Sequence, residues 1–361
     1  SSGAVVSAKP GSHNNWSESD VRWSNAPVYG LRTDNSPAVT AGPVEWDLSS
    51  YVSGNGVYSV ILTQASSTQT SFRSRESAQP PELELTYTTG VPSSDPVIVA
   101  AGDIACSTSD PSYNNGSGTA TACRQRATSD LALAQSGAAV LALGDLQYSL
   151  ATLDQFTLSY DPTWGRVKSL TRPVPGNHEY AVANASGYYS YFGAIAGNPS
   201  LGYYSYDIGT WHLVALNSNC ATGAGWLPGG CAAGSAQEQW LRQDLAAHAN
   251  RCTLAYWHHP RYSSGHGGDG TFMAGLWQAL YDARADVVLS GHSHDYERFA
   301  KQNNAATGET VRGLRQFVVG TGGVFFTAIP QTRHPYSHLL QNSSFGVLKL
   351  TLRPSSYDWR F

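Results

Sequence analysis

Two patterns of apolar positions divide this chain. Up to residue 90, short runs alternate apolar and polar side chains (residues 20–23, 44–48, 57–62 and 82–88) between clusters of Gly, Pro, Ser and Asn. A period of two marks half-buried strands, and helical periodicity is nearly missing there. Residues 1–90 therefore read as a small all-β domain whose core would hold Trp16, Trp23 and Trp46. Residues 91–96, Val-Pro-Ser-Ser-Asp-Pro, are a linker by composition. Over residues 97–361 the pattern becomes α/β. Apolar runs at 97–101, 140–143, 212–216, 253–256, 287–289 and 317–319 alternate with helical periodicity at 118–135, 236–249 and 271–284. In the second of these helices Trp240, Leu241 and Leu245 share one face. Residues 344–361 read as two closing strands.

Composition narrows where such a chain works. At 361 residues and 41% hydrophobic, it can bury two cores. Only 13% of its residues are charged, about half the usual share. The polar surface rests on Ser, Thr, Asn and Gly, which suits an extracellular protein. A net charge of −4 without a Lys/Arg run argues against a nucleic-acid-binding surface. No apolar stretch approaches the length of a membrane span.

Cysteine placement agrees with secretion. Cys106 and Cys123 bracket a polar loop, Cys220 and Cys231 bracket a Gly-rich one, and each pair would close its loop as a disulfide. Five free thiols in a cytosolic enzyme is the alternative. Cys252, left over at the start of an apolar run, reads as a buried thiol. The sequence opens without a signal peptide, as a mature or trimmed chain would.

The candidate chemistry lies in five short motifs: Gly-Asp-Ile-Ala at 102–105, Gly-Asp-Leu-Gln-Tyr at 144–148, Gly-Asn-His-Glu at 176–179, His-His-Pro at 258–260 and Gly-His-Ser-His at 291–294. Alone, each has an ordinary reading. Asp103 can be a turn residue, Tyr148 a packing group, and the histidines structural. Yet Asp103, Asp145, His258 and His292 each follow an apolar run directly, and strand ends converge at one edge of an open α/β sheet. Together the motifs offer about eight oxygen and nitrogen donors, enough for two metal ions and too many for one. Paired metals are the tool for hydrolysing a phosphate ester. A single zinc would leave half the donors unused.

Within that set, Asn177 and His178 are neighbours whose side chains point apart in extended structure, so Asn177 is assigned to a metal and His178 to the substrate. Glu179 is expected to hold the His178 tautomer. Of His258 and His259, alternation lets one face the site, and His258 is favoured. His292 and His294, at i and i+2, can serve different metals. His266 sits in a Gly-rich loop suited to phosphate contact or to plain solvation.

In this order the motifs resemble the calcineurin-like metallophosphoesterases, and among them the purple acid phosphatases of bacterial secreted type. The superfamily usually opens with Asp-x-His; here that histidine is replaced by Ala105, and the Tyr of Gly-Asp-x-x-Tyr, Tyr148, stands in for it. The resemblance covers about residues 96–325. It implies a β-sheet sandwich flanked by helices and a binuclear centre. Asp103, Tyr148 and His294 would hold Fe(III), Asn177, His258 and His292 would hold a divalent ion (Zn, Mn or Fe), and Asp145 would bridge. His178 and His266 would be the catalytic histidines on the substrate side. The implied activity is a secreted phosphatase hydrolysing phosphate monoesters to inorganic phosphate, with hydroxide held by the metals as nucleophile. A phosphodiesterase or nucleotidase on the same site is the alternative, and a polysaccharide-binding protein with an inactive metal domain a more distant one. Residues 16–27, 44–52 and 72–83 resemble the second half of DNRLRE modules, which implies a spacer or a polysaccharide contact.

Overall fold

The computed structural model describes residues 95–361, apart from 136, 138, 221–228, 250 and 310, together with three strands nearer the N-terminus. The chain forms two compact units, Ser1–Thr89 and Gly90–Phe361. In the first, β1 (Val6–Pro10) pairs antiparallel with β2 (Asp34–Asn35) and β3 (Val60–Gln64). The run expected at 57–62 overlaps β3. Those expected at 20–23, 44–48 and 82–88, and Trp16, Trp23 and Trp46, lie outside the described residues.

The second unit is a sandwich of two mixed sheets. In the five-stranded sheet, β4 (Val97–Ala101), β5 (Ala139–Leu143) and β6 (Thr171–Val174) run parallel. The seven-stranded sheet has a parallel centre of β8 (Trp211–Ala215), β9 (Cys252–Tyr256), β10 (Val287–Ser290) and β12 (Leu314–Val319). Its flanks, β7 (Tyr204–Ile208), β11 (Tyr296–Gln302) and β13 (Ser337–Gln341), are antiparallel. The expected closing strands are β14 (Leu348–Leu352) and β15 (Tyr357–Arg360), added antiparallel beside β4.

The alternation of side chains across each strand builds the layers. Leu213 and Leu289 join Ile98, Leu141 and Leu350 in the core between the sheets. Their neighbours Val214 and Val288 face the other way. There they meet Leu241 and Leu245 of α4 (Ala236–Ala247) and Leu276 and Leu280 of α5 (Ala274–Asp282). Ser235 starts α4 by accepting the Glu238 N–H, a cap the sequence Ser-x-x-Glu encodes. On the five-stranded side, α1 (Gln125–Ala134) packs beside the 3-10 segment Trp164–Leu170. The short α2 (Leu153–Gln155) and α3 (Ser186–Phe192) flank an aromatic nest of Phe156, Tyr191 and Phe192.

Two expectations change. The helix foreseen from 118 begins at 125, because Cys123 is bonded to Cys106 and its N–H donates to the Val324 carbonyl, which takes that segment out of helical conformation. Cys252 is half-buried rather than buried, with its thiol facing the Pro354 carbonyl. The Cys220–Cys231 disulfide is formed.

An ion cluster around buried His212 ties β7, β8 and α4 together. His212 Nδ1 lies 2.9 Å from Asp207 Oδ1, and Nε2 lies 2.7 Å from Asp244 Oδ2. Carboxylates only accept, so both ring nitrogens carry protons. Burial works against the imidazolium, but Asp244 and Asp207 outweigh it and raise His212 above its ordinary pKa. The His212 hydrogen bond lowers Asp207; Asp244 is also lowered, its burial opposing and His212 prevailing. His248 stacks on His212 at 3.8 Å, and Arg251 reaches Asp207 at 3.6 Å. The imidazolium contribution is complete below the free-histidine value of about 6.5 and is lost as pH rises through the raised folded value. The carboxylate contribution is complete above about 3.9 and is lost as pH falls through the lowered values. His212→Leu is therefore expected to remove the alkaline part of the pH dependence of unfolding. It should also cost about 1–3 kcal/mol, since the half-buried Asp244 loses its imidazolium partner and keeps only the Ser205 hydroxyl and the more distant His248. Denaturant titrations at about pH 5.5 and 9 check both.

Candidate metal centre

Five strands deliver the motif residues to one place. Asp103 follows β4, Asp145 follows β5, Asn177 and His178 follow β6, His258 follows β9, and His292 and His294 follow β10. The chain turns sharply at three of these ends: φ is +58° at Asp103, +48° at Asp145 and +71° at His292. The glycines between them permit the close approach. A Cβ on Gly144 (φ +84°) would stand 2.6 Å from His258 Nδ1, and one on Gly291 would stand 2.7 Å from Asp103 Oδ2.

The donors form two adjoining sets. In one, Tyr148 Oη is 2.9 Å from Asp103 Oδ1 and 3.0 Å from His294 Nε2, which are 3.3 Å apart. In the other, His258 Nε2 is 3.2 Å from each of Asn177 Oδ1, His292 Nδ1 and Asp145 Oδ2. Asp145 Oδ2 also accepts the Tyr148 hydroxyl at 3.1 Å, so one oxygen touches both sets. Ligands around one ion, at bonds of about 2.0–2.1 Å, stand roughly 2.8–3.4 Å apart in octahedral or tetrahedral arrangements. Both sets have that spacing.

The electrostatics also call for cations. Among the described residues no Lys or Arg side chain pairs with Asp103 or Asp145; their ion-pair partners are histidines. Burial, together with Asp103 and Asp145, pushes the Tyr148 phenol well above its ordinary pKa. Only a strongly acidic ion would turn it into a phenolate ligand. Burial disfavours a charged His258, yet Asp145 raises it to about 9. Asp145 is lowered, its own burial opposing and His258 prevailing. Burial and His258 bring His292 down to about 4.

Backbone carbonyls fix the imidazoles. His258 Nδ1 donates to the Leu143 carbonyl at 2.9 Å, which leaves Nε2 for the site. His178 Nδ1 donates likewise to Ser149 O at 2.6 Å; its ring lies 4.1 Å from that of Tyr148, and Nε2 is 3.8 Å from Asp145 Oδ2. Glu179 does not hold His178, contrary to expectation. Its buried carboxylate accepts the N–H groups of Gly176, Asp145 and Leu146 and so shapes the Asp145 turn. Burial and Asp145 raise it to about 7.

His266 stands apart from the seven clustered donors. Its side chain is exposed, while its carbonyl accepts the Ser293 hydroxyl at 2.7 Å and the loop passes over His292. His259 was set aside in the sequence yet lies close: its Nδ1 pairs with Ser218 Oγ at 2.9 Å, and its ring is 4.4 Å from that of His292. The His-His pair was the signal for it. Nothing in the motifs pointed to the backbone role of Glu179.

A two-sheet α/β sandwich thus gathers a set of candidate metal donors at the ends of its parallel strands. Residues 94–296, more than half of the chain, match the calcineurin-like phosphoesterase family, and the chain belongs to it. It is similar to purple acid phosphatase 15 of Arabidopsis thaliana, 29% identical over 51% of this chain and 40% of that protein. It is also similar to purple acid phosphatase 22 of the same plant, 34% identical over 40% of this chain and 32% of that one. The chain thus spans less than half the length of these relatives. In fold it is similar to purple acid phosphatase PPD1 from yellow lupin (Lupinus luteus), with a TM-score of 0.60 at 17% identity, covering 99% of this chain and 67% of that one. Residues 1–87 match carbohydrate-binding module family 96.

Proposed function

We propose that this protein is a secreted phosphatase of the purple acid type, hydrolysing phosphate monoesters at a centre of ferric iron and a divalent ion (Zn, Mn or Fe). Asp103, Tyr148 and His294 would hold the iron, Asn177, His258 and His292 would hold the divalent ion, and Asp145 would serve both. The observation that carries this reading is Asp145 Oδ2, in contact with both donor sets. When bound, the ions supply an acidified water and a clamp on the phosphate oxygens. The phenol of Tyr148, hemmed in by two carboxylates, selects the more acidic ion.

The remaining work falls to the histidines. With its Nδ1 proton committed to Ser149, His178 presents Nε2 to the site. From there it donates a proton to the departing oxygen as the P–O bond breaks, and inorganic phosphate remains. His266, on the loop that passes over His292, shares that duty.

Residues 97–361 are the catalytic domain, 91–96 a linker and 1–90 an accessory module. The match of residues 1–87 to a carbohydrate-binding module family supports a polysaccharide contact for that module, tested by retention of the whole chain on insoluble polysaccharides. The two disulfides support secretion. Among the described residues no helix is long and apolar enough to cross a membrane.

An aryl phosphate monoester and the matching diester, assayed on protein of known iron and zinc content, test the substrate class. Monoester preference of about 10-fold or more in kcat/KM is expected. Diester preference would leave the centre in place and move the function to phosphodiester cleavage.

A further inference from the structure

The loop that carries His266 is built as a closed ring fastened to the metal-ligand segment. Its ends meet where Gly270 N–H donates to the Pro260 carbonyl at 2.9 Å, as in a compact Ω-loop. Inside, Ser263 Oγ accepts the Gly265 N–H and pairs with Ser293 Oγ, both at 2.9 Å. Ser293, wholly buried between His292 and His294, donates its hydroxyl hydrogen to the His266 carbonyl. Three residues beyond His294 along the chain, in β11, buried Glu297 takes both the N–H and the hydroxyl of Ser264. Asp295 fills the floor: its Oδ2 occupies the space a side chain at Gly265 would need, within 2.0 Å of a Cβ there. A Cβ on Gly267 would stand 3.0 Å from His292 Nε2. The exposed His266 side chain thus projects from a backbone registered on the ligands.

We propose that Ser293 and Glu297 are positioning residues: through Ser263 and Ser264 they latch the 260–270 loop so that His266 stands over the centre as a proton donor to the leaving group. This rests on the phosphatase reading above. In the step, a water oxygen forms the new P–O bond as the bond to the leaving group breaks, the proton the water loses passes to solvent, and the His266 proton goes to the departing oxygen.

A leaving group's need for that proton provides the test. Turnover of glycerol phosphate, whose alkoxide must be protonated, is compared with that of 4-nitrophenyl phosphate, whose phenolate need not be. Ser264→Ala and Ser293→Ala are expected to lower kcat for glycerol phosphate about 10-fold and leave the nitrophenyl ester within about twofold, at unchanged metal content. In a His266→Ala background neither should add a further loss. Glu297→Gln should retain the wild-type ratio, because an amide can accept the Ser264 N–H and donate to its hydroxyl. Equal losses on both substrates, or additive losses in the His266→Ala background, would overturn the latch. Should His266→Ala treat both esters alike, the proton-donor role of His266 falls separately. Amide exchange over 263–268 then decides the latch: about 10-fold faster exchange in Ser293→Ala supports it, and unchanged exchange overturns it.

Discussion

Asp145→Ala is expected to bind neither metal ion and to lose activity by about 10⁴-fold or more in kcat/KM. The carboxylate reaches in three directions. Its Oδ2 contacts Tyr148 of one donor set and His258 of the other, while Oδ1 accepts the His178 N–H at 2.8 Å. One truncation therefore removes the shared ligand and loosens the loop that carries Asn177 and His178. The fold should persist, since Asp145 lies beyond the end of β5 and the core between the sheets is untouched. Elemental analysis beside circular dichroism checks this. A folded variant with a full metal complement would remove Asp145 from the bridging position.

That expectation could be framed from sequence because Asp145 sits where a buried parallel strand stops. The same holds for Asp103, His258 and His292: apolar runs are legible, and their ends are forced to one edge of the sheets. Edges of the sheets were harder to see. β6, β7 and β13 are terminal strands; β6 contains Pro173, and β7 and β13 are only partly buried, so none has a clean apolar run. β11 escaped for another reason. Its buried Glu297 reads as solvent-facing until its hydrogen bonds from Ser264 are known. Glu179 was misread because adjacency suggested it would serve His178. The backbone at His178 is helical (φ −68°, ψ −32°), which swings successive side chains about 100° apart.

His178→Ala is expected to keep both metals and to lower kcat by roughly 10²–10⁴-fold, with KM changed little. Its ring is partly exposed and its Nε2 is 3.8 Å from Asp145 Oδ2, beyond the spacing shared by the clustered donors. Removal should therefore leave the donor sets standing while taking away a proton source. Because the ring also lies against Tyr148, metal content and the pH–rate profile are measured together. Loss of one limb of the profile at constant metal content identifies a proton-transfer role, whereas loss of metal would return His178 to the ligands. Normal turnover by the metal-loaded variant would end its catalytic assignment.

The two donor sets draw on both sheets: Asp103, Asp145 and Asn177 from the five-stranded one, His258, His292 and His294 from the seven-stranded one. Ions held between them would act as a clasp across the sandwich as well as a reagent. Resistance to unfolding then becomes a function of free metal, about 2.7 kcal/mol per site at a hundredfold excess over Kd. A protein built this way would set its margin of stability by the metal supply around it, and a chelator would narrow that margin while leaving the core between the sheets in place.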